Sequence, residues 1–235
     1  MKITEIVKPN VKNLVGLRHW NGEPVRADGV WDGDLSVAFT DLTSLEGAPS
    51  HVNGSFNCNG NYLTSLTGSP AEIRNNFYCV KNQLTSLEGG PSEVGADFSC
   101  SQNNLTSLKG APSLIPNDFI CNDNSLTSLE GAPSSIGRDF RCARNRLTSL
   151  SMIHKHIKHI GGSISMHQNS IEGCVLGLLL IDGLKGIRIT LGEDEKFSMV
   201  CDIINRYLVN TRGRGALIDC QNELLDEGLE EYAKL

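Results

Sequence analysis

The side chains that could carry chemistry in this chain are its eight cysteines, its six histidines and a set of regularly spaced aspartates and arginines. Five cysteines recur every 21 residues: Cys58, Cys79, Cys100, Cys121 and Cys142. Zinc sites need thiolates in close pairs, and the same column continues as Val37 and Met166, which bind no zinc. A buried cysteine otherwise behaves as a small apolar residue. We therefore expect these thiols to be reduced core residues, and we predict neither a metal site nor a cofactor.

The histidines do not form a catalytic pattern. His154, His156 and His159 are spaced so that they cannot all share one helical face, and no acidic residue stands beside them, which predicts a solvated cluster. The chain has no nucleophile elbow, phosphate loop or His-Glu-x-x-His motif. Cys201 and Cys220 lie on apolar stripes of predicted helices. We expect no catalytic residues, and an enzymatic site at the junction of the repeats and the tail is the least favoured alternative.

Three aspartates directly precede phenylalanines in successive repeats: Asp97, Asp118 and Asp139. Stacked carboxylates repel one another, so a column of them needs a compensating role. Either the carboxylates accept hydrogen bonds from backbone amides and neighbouring polar side chains, or they bind a partner. The sequence leaves both interpretations open.

A basic patch follows at the end of the repeats and consists of Arg138, Arg141, Arg144, Arg146, Lys155 and Lys158. The carboxyl-terminal segment is acidic, and we favour an intramolecular pairing of the patch with that tail. The alternative is a docking site for an acidic partner, a phosphate-bearing ligand or RNA. A net charge of −6 argues against a general nucleic-acid binder.

A repeat of 21 residues positions all of these side chains. The phrase Leu-Thr-Ser-Leu recurs from Leu42 to Leu150, and a fixed period of this length is typical of a solenoid. Two further columns precede the phrase: Phe56, Phe77, Phe98, Phe119 and Phe140, and then Asn61, Asn82, Asn103, Asn124 and Asn145. Phenylalanine and cysteine alternate with polar residues, which predicts a short strand with one buried face. The inward asparagines should form a ladder that satisfies backbone groups of adjacent coils.

The segment after each Leu-Thr-Ser-Leu motif carries Glu-Gly-Ala-Pro-Ser or a variant of it. Glycine followed by proline excludes a regular helix there. We expect extended or turn segments there. An aliphatic residue then fills the core before the next strand, at Val52, Ile73, Val94, Ile115 and Ile136. The outward positions of the strands should form a mixed polar and apolar surface typical of protein binding. Its candidate residues are Tyr62, Tyr78, Val80, Asp97, Gln102, Asp118, Ile120, Asn122 and Asp139.

The ends of the chain differ from the repeats. Residues 1–32 should form an amino-terminal cap, with Trp31 in the core, and residues 33–171 the solenoid. The spacing of Ile153, Ile157 and Ile160 predicts a helical turn in an irregular coil. Residues 172–235 should form a carboxyl-terminal cap rather than a separate domain.

Within that last segment we predict buried strands at Val175–Ile181 and Ile187–Leu191, and a capping box at Thr190-x-x-Glu193. Two apolar helical stripes should follow. Their members are Phe197, Val200, Cys201, Ile204 and Leu208, and then Leu217, Cys220 and Leu224.

The phrase Leu-Thr-Ser-Leu-Glu-Gly-Ala-Pro resembles leucine-rich repeat proteins of the short bacterial type, and most of all uncharacterised repeat proteins of bacteriophages. The resemblance covers residues 33–171 and implies an α/β solenoid with parallel strands on the concave face, extended or turn segments on the convex face, caps at both ends and a small helical tail. It implies a protein that binds a partner protein of the host cell. Since the amino terminus lacks the apolar run of a signal peptide and no apolar stretch reaches membrane-spanning length, we expect the cytoplasm and no membrane contact.

Overall fold

In a computed structural model, which describes residues 29–188, 195–210 and 214–234, the repeats form a parallel β-solenoid of about eight turns. In chain order the strands are β1 (Val30–Trp31), β2 (Leu35–Ser36), β3 (His51–Val52), β4 (Phe56–Asn57), β5 (Glu72–Ile73), β6 (Phe77–Tyr78), β7 (Glu93–Val94), β8 (Phe98–Ser99), β9 (Leu114–Ile115), β10 (Phe119–Ile120), β11 (Ser135–Ile136), β12 (Phe140–Arg141), β13 (His159–Ile160), β14 (Ser163–Ser165) and β15 (Gly186–Arg188). The helices are α1 (Ile153–His156), α2 (Glu195–Asn210) and α3 (Arg214–Asp226). The predicted solenoid with parallel strands, little internal helix and a helical carboxyl-terminal segment is confirmed.

An eight-stranded parallel sheet runs the length of the solenoid in the order β15-β14-β12-β10-β8-β6-β4-β2. Its register places each phenylalanine beside the next, so that Phe98 pairs with both Phe77 and Phe119. The five phenylalanine side chains are fully buried and stack along the axis. Because strand side chains alternate between the two faces, the residue after each phenylalanine faces outward.

A second row of strands precedes the phenylalanine strands, a few residues earlier in each coil. It forms a four-stranded sheet, β1-β3-β5-β7, and a three-stranded sheet, β9-β11-β13. The sequence predicted a buried aliphatic residue here and did not predict the strands. The aliphatic residues are buried, as expected, and the residue before each of them completes the strand. Trp31 is a core residue, as predicted, with 5% of its surface exposed. It pairs with Val52, so parallel pairing begins inside the segment expected to be the amino-terminal cap, of which residues 1–28 lie outside the described part.

The asparagine ladder is confirmed. Asn103 Oδ1 accepts a hydrogen bond from the Leu84 amide at 3.1 Å, and its Nδ2 donates to the carbonyls of Cys79 and Cys100, each at 3.0 Å. Equivalent contacts recur at Asn61, Asn82, Asn124 and Asn145, and at Asn169 in the irregular coil. Each ladder amide therefore ties its own coil to the one before.

In the described coils, the segment that carries the Gly-Ala-Pro motif forms turns and no regular helix, as predicted. Gly110 shows why glycine is needed there. Its φ is +95°, and a Cβ on it would lie 2.4 Å from the Glu88 amide nitrogen in the previous coil. Close contact between turns and a left-handed backbone both exclude a larger residue.

The predicted helical turn is present as α1, with Ile153, Ile157 and Ile160 buried. The predicted strand Val175–Ile181 is wrong, because Leu176–Leu180 is a 3-10 helix. Its apolar run packs against α1 instead of pairing in a sheet, and periodicity does not separate a short buried strand from a buried helical turn. The strand predicted at Ile187–Leu191 is observed as β15, Gly186–Arg188, while Thr190 and Glu193 lie outside the described residues.

The carboxyl-terminal helices cover the last coil. Asn205 on α2 accepts a hydrogen bond from the Ile187 amide at 2.6 Å and donates one to the Ile187 carbonyl at 3.0 Å. The Tyr232 hydroxyl donates to the Ile171 carbonyl at 3.1 Å. The predicted apolar stripe of α2 is buried from Phe197 to Leu208. The helices therefore close the exposed edge of the sheet, which would otherwise present unpaired backbone groups.

Candidate functional site

The outer face of the eight-stranded sheet, which points away from the phenylalanine stack, gathers most of the residues predicted to bind a partner. One row on this face follows the phenylalanines and consists of Asn57, Tyr78, Ser99, Ile120 and Arg141, in strand register. A second row precedes the phenylalanines and consists of Ser55, Asn76, Asp97, Asp118 and Asp139. We call this second row the aspartate column.

The aspartate column binds backbone amides, so the first of the two interpretations left open by the sequence is confirmed. Asp97 Oδ1 accepts a hydrogen bond from the Asp118 amide at 3.1 Å, and Asp118 Oδ1 accepts one from the Asp139 amide at the same distance. Asp139 Oδ1 accepts one from the Ser163 amide at 2.9 Å. In the preceding coil Asn76 makes the equivalent bond to the Asp97 amide at 3.0 Å. A neutral amide side chain can therefore accept this backbone hydrogen bond as well as a carboxylate does. The hydrogen bond does not require the negative charges of the aspartates.

Arginines neutralise the carboxyl-terminal end of this column. Arg141 Nη2 lies 2.9 Å from Asp118 Oδ2 and 3.4 Å from Asp139 Oδ2. Arg188 Nη2 lies 3.0 Å from Asp139 Oδ2. Burial alone would raise the pKa of Asp139, but the Ser163 amide and the charges of Arg188 and Arg141 together outweigh it, so the pKa lies below its ordinary value.

The basic patch thus pairs within the molecule, but not with the acidic tail as we predicted. Arg144 Nη2 lies 2.7 Å from Asp123 Oδ2, one coil away. The tail carboxylates of Glu223 and Glu231 instead pair with Arg206 and Lys196. The physical reason is proximity, because the stacked coils bring arginines and aspartates of adjacent repeats together, whereas each tail helix meets cations of its own segment.

The remaining charges of the patch are exposed. Arg138 is 70% exposed and lies 4.0 Å from Asp118, at the outer limit of an ion pair. Lys158 Nζ donates to the His154 carbonyl at 3.1 Å. Arg146 and Lys155 are exposed. A phosphate would therefore meet scattered cations here unless it displaced the aspartates from Arg141 and Arg144.

At the middle of the outer face the strand register places small side chains between larger ones, which makes a depression with apolar and polar walls. Ser99 and Ser101 form its floor and are only 6% and 9% exposed, because larger side chains flank them. Tyr78 and Val80 form one wall, in the coil before, and Ile120 and Asn122 form the other, in the coil after. Since neighbouring strands are ~4.8 Å apart, the walls are about 10 Å apart between backbones. We call this depression the serine slot.

Two predicted residues border the sheet instead of lying on it. Each strand pairs over only two residues, and the chain then turns at a residue with left-handed backbone, which at Gln102 has a φ of 56°. Tyr62 lies beyond the equivalent turn and is 52% exposed. With Phe39 and Lys81 it lines an open cavity of about 420 Å³.

Three residues of this face were not predicted from the sequence. Ser99 and Ser101 are small polar residues in an outward row, and a small residue between large ones in such a row indicates a depression. Arg188 lies at the start of the segment predicted to be a buried strand. Its signal was its place after Ile187, which matches the place of Arg141 after Phe140.

Elsewhere the structure offers one contact that resembles catalytic geometry. Ser50 Oγ lies 2.7 Å from His51 Nδ1, and His51 Nε2 lies 3.2 Å from Glu72 Oε1. The Ser50 hydroxyl also donates to the Gly29 carbonyl at 3.0 Å, and Ser92 and Ser134 make the same bond in their own coils. This serine therefore has a structural explanation in the repeat.

The five repeat cysteines are buried and unbridged, as expected. Burial raises the pKa of each thiol, that of Cys142 to about 12, so the thiols stay protonated. In the part of the chain that the structure describes, no three His, Cys, Asp or Glu side chains come together as a metal site. No helix in that same part is long and apolar enough to cross a membrane.

The sequence matches no protein-family model, and a comparison with curated proteins finds no match. Function is therefore inferred from the geometry of the outer face and from the resemblance of the repeat motif.

Proposed function

We propose that this chain is a non-enzymatic protein of the leucine-rich repeat type that binds another protein through the outer face of its eight-stranded sheet. The sequence motif of its repeats resembles that of bacteriophage repeat proteins. This resemblance supports a phage factor that inhibits or redirects a host protein, such as a defence protein, in the cytoplasm of the infected bacterium. The face is the concave one in that family.

The observation that carries the proposal is the composition of the serine slot and its surroundings. Tyr78, Val80 and Ile120 present aromatic and aliphatic surface at the centre of a regular sheet, each only partly buried. Polar groups surround them, with the aspartate column on one side and Gln102 on the other. An apolar centre within a polar rim is typical of protein–protein interfaces.

The pairing of the basic patch makes the alternative, a nucleic-acid or phosphate-binding module, less favourable. Counterion release from many free cations drives nucleic-acid binding. Here Arg141, Arg144 and Arg188 already pair with carboxylates. The exposed cations Arg138, Arg146 and Lys155 are the features that support the alternative.

The proposal is tested with a double variant, Tyr78→Glu with Ile120→Glu. The partner is first isolated by affinity purification and mass spectrometry from producing or infected cells, and the purified pair is then titrated by calorimetry. We expect Kd to rise by about 100-fold or more, because two central anchors account for several kcal/mol of a typical interface. The melting temperature should hardly change, since solvent-facing substitutions alter stability by about 0.5 kcal/mol or less.

The matched control replaces Arg138 and Arg146, both exposed, with glutamate. We expect its Kd to stay near that of the unaltered protein. Normal binding by the Tyr78/Ile120 variant, together with lost and strongly salt-dependent binding by the arginine variant, would replace this proposal with the basic-patch alternative.

A further inference from the structure

The charges of the aspartate column are neutralised unevenly. Asp118 and Asp139 both contact arginines, at distances between 2.9 and 3.4 Å. Asp97 makes the same backbone hydrogen bond as they do, yet among the described residues no cation pairs with its carboxylate. Asp97 is therefore the aspartate of this column whose charge no described residue compensates.

The repeat explains this difference. Arg141 lies 23 positions after Asp118 and two positions after Asp139, and it contacts both. The residues in the same two relations to Asp97 are Ile120 and Ser99. Arg141 thus supplies a guanidinium to Asp118 and Asp139. At the two positions from which an arginine could reach Asp97, the chain has an isoleucine and a serine instead.

The negative charge of Asp97 has no structural task. Asn76 occupies the same column one coil earlier and accepts the equivalent amide hydrogen bond with a neutral side chain. An uncompensated carboxylate on a half-buried surface lowers stability unless a cation reaches it. The charge therefore favours binding of a cation that none of the described residues supplies.

The serine slot lies beside Asp97 and offers a ring face. Tyr78 is the diagonal neighbour of Asp97 across the pair β6–β8. Burial, and then the charges of Asp97 and Asp34, raise the pKa of Tyr78, so the negative field of Asp97 reaches the ring. Ser101 on the slot floor is 9% exposed, and its hydroxyl oxygen is buried and has no hydrogen-bond partner among the described residues.

We propose that the serine slot receives an arginine side chain of the partner protein, which pairs with Asp97 and stacks on Tyr78. A guanidinium is flat and carries only donors, so it complements a narrow slot that offers a carboxylate and an aromatic face. Arg141 shows the same group against the same column one coil later. This inference builds on the proposed function and names the chemistry of the partner's anchor.

The test uses the purified full chain and a defined probe, the peptide acetyl-Gly-Arg-Gly-amide, followed by NMR titration of backbone amides. The matched probe replaces arginine with citrulline, which has nearly the same shape and no charge. We expect the arginine peptide to shift the amides of Tyr78, Ser99 and Ser101, and the citrulline peptide to bind at least tenfold more weakly.

Two variants isolate the charge. Asp97→Asn retains the ladder hydrogen bond, as Asn76 does, and should weaken arginine-peptide binding at least tenfold with an unchanged melting temperature. Glu93→Gln removes one charge from the same coil on another sheet and should bind normally. Ile120→Arg places a guanidinium in the relation that Arg141 has to Asp118, and should block the peptide.

Equal binding of both peptides, or arginine-peptide binding that survives Asp97→Asn, would overturn the arginine slot. The two proposals fail separately. If the isolated partner still binds Asp97→Asn but not the Tyr78/Ile120 variant, the face binds protein without this arginine. If the peptide binds as expected and the partner ignores the Tyr78/Ile120 variant, the proposed function fails and the slot remains.

Discussion

Replacing Phe98 with alanine should lower the free energy of unfolding by about 3–5 kcal/mol, the usual cost of removing a buried phenylalanine. Phe98 is fully buried at the centre of the phenylalanine stack. Its ring centroid lies 5.0 Å from that of Phe77 and 5.5 Å from that of Phe119, both edge to face. The truncation removes apolar burial and aromatic contacts on both sides. Denaturant unfolding monitored by circular dichroism measures the loss.

Phe39 provides the matched control, because the same substitution there removes a side chain that is 72% exposed. Phe39→Ala should change the unfolding free energy by about 0.5 kcal/mol or less. A Phe98→Ala protein as stable as Phe39→Ala would show that the phenylalanines do not form the core. Since each coil contacts only its neighbours, we expect loss of cooperativity to begin at the coils next to Phe98.

Asn103→Ala should lower the free energy of unfolding by about 2–4 kcal/mol, because buried backbone groups left without a partner cost about 1–3 kcal/mol each. The side chain serves the Leu84 amide and the carbonyls of Cys79, Cys100 and Ser101. These groups belong to two adjacent coils, so the substitution weakens the contact between coils as well as the turn itself. Thermal and denaturant unfolding both measure it.

Two variants separate the role of Asn103 from a general effect. Asn103→Asp keeps the acceptor for the Leu84 amide and loses the donors, so it should also destabilise the protein. Asn104→Ala alters the adjacent, exposed asparagine and should leave stability nearly unchanged. A melting temperature of Asn103→Ala equal to that of Asn104→Ala would refute the ladder.

The sequence was sufficient for the phenylalanine, cysteine and asparagine columns, because a fixed period forces equivalent residues into one environment. The burial of Phe98, the hydrogen bonds of Asn103 and the turn glycine at Gly110 all follow from that register. The period does not show which backbone conformation the chain adopts between two columns of equivalent residues. The second row of strands, of which only the buried aliphatic residue was foreseen, was therefore missed.

The site was harder to predict because it depends on differences between repeats. We predicted that Arg141 pairs with the acidic tail, whereas it pairs with Asp118 in the adjacent coil. The 21-residue period brings these two coils together, but it does not show in which direction a long arginine side chain extends. The 3-10 helix at Leu176–Leu180 and the reach of Arg188 depend on packing outside the repeat. The repeat did predict which positions face outward. Among these positions, Asp97 differs from the other aspartates of its column because no described cation pairs with it.

The central claim is that the outer face of the eight-stranded sheet contacts the partner, and hydroxyl-radical footprinting of the complex tests it most directly. Leu114 and Met152 are 54% and 43% exposed on other surfaces and serve as internal references. We predict that partner binding suppresses oxidation of Tyr78 and leaves oxidation of Leu114 and Met152 unchanged. Unchanged oxidation of Tyr78, with protection at Leu114 or Met152 instead, would contradict the claim.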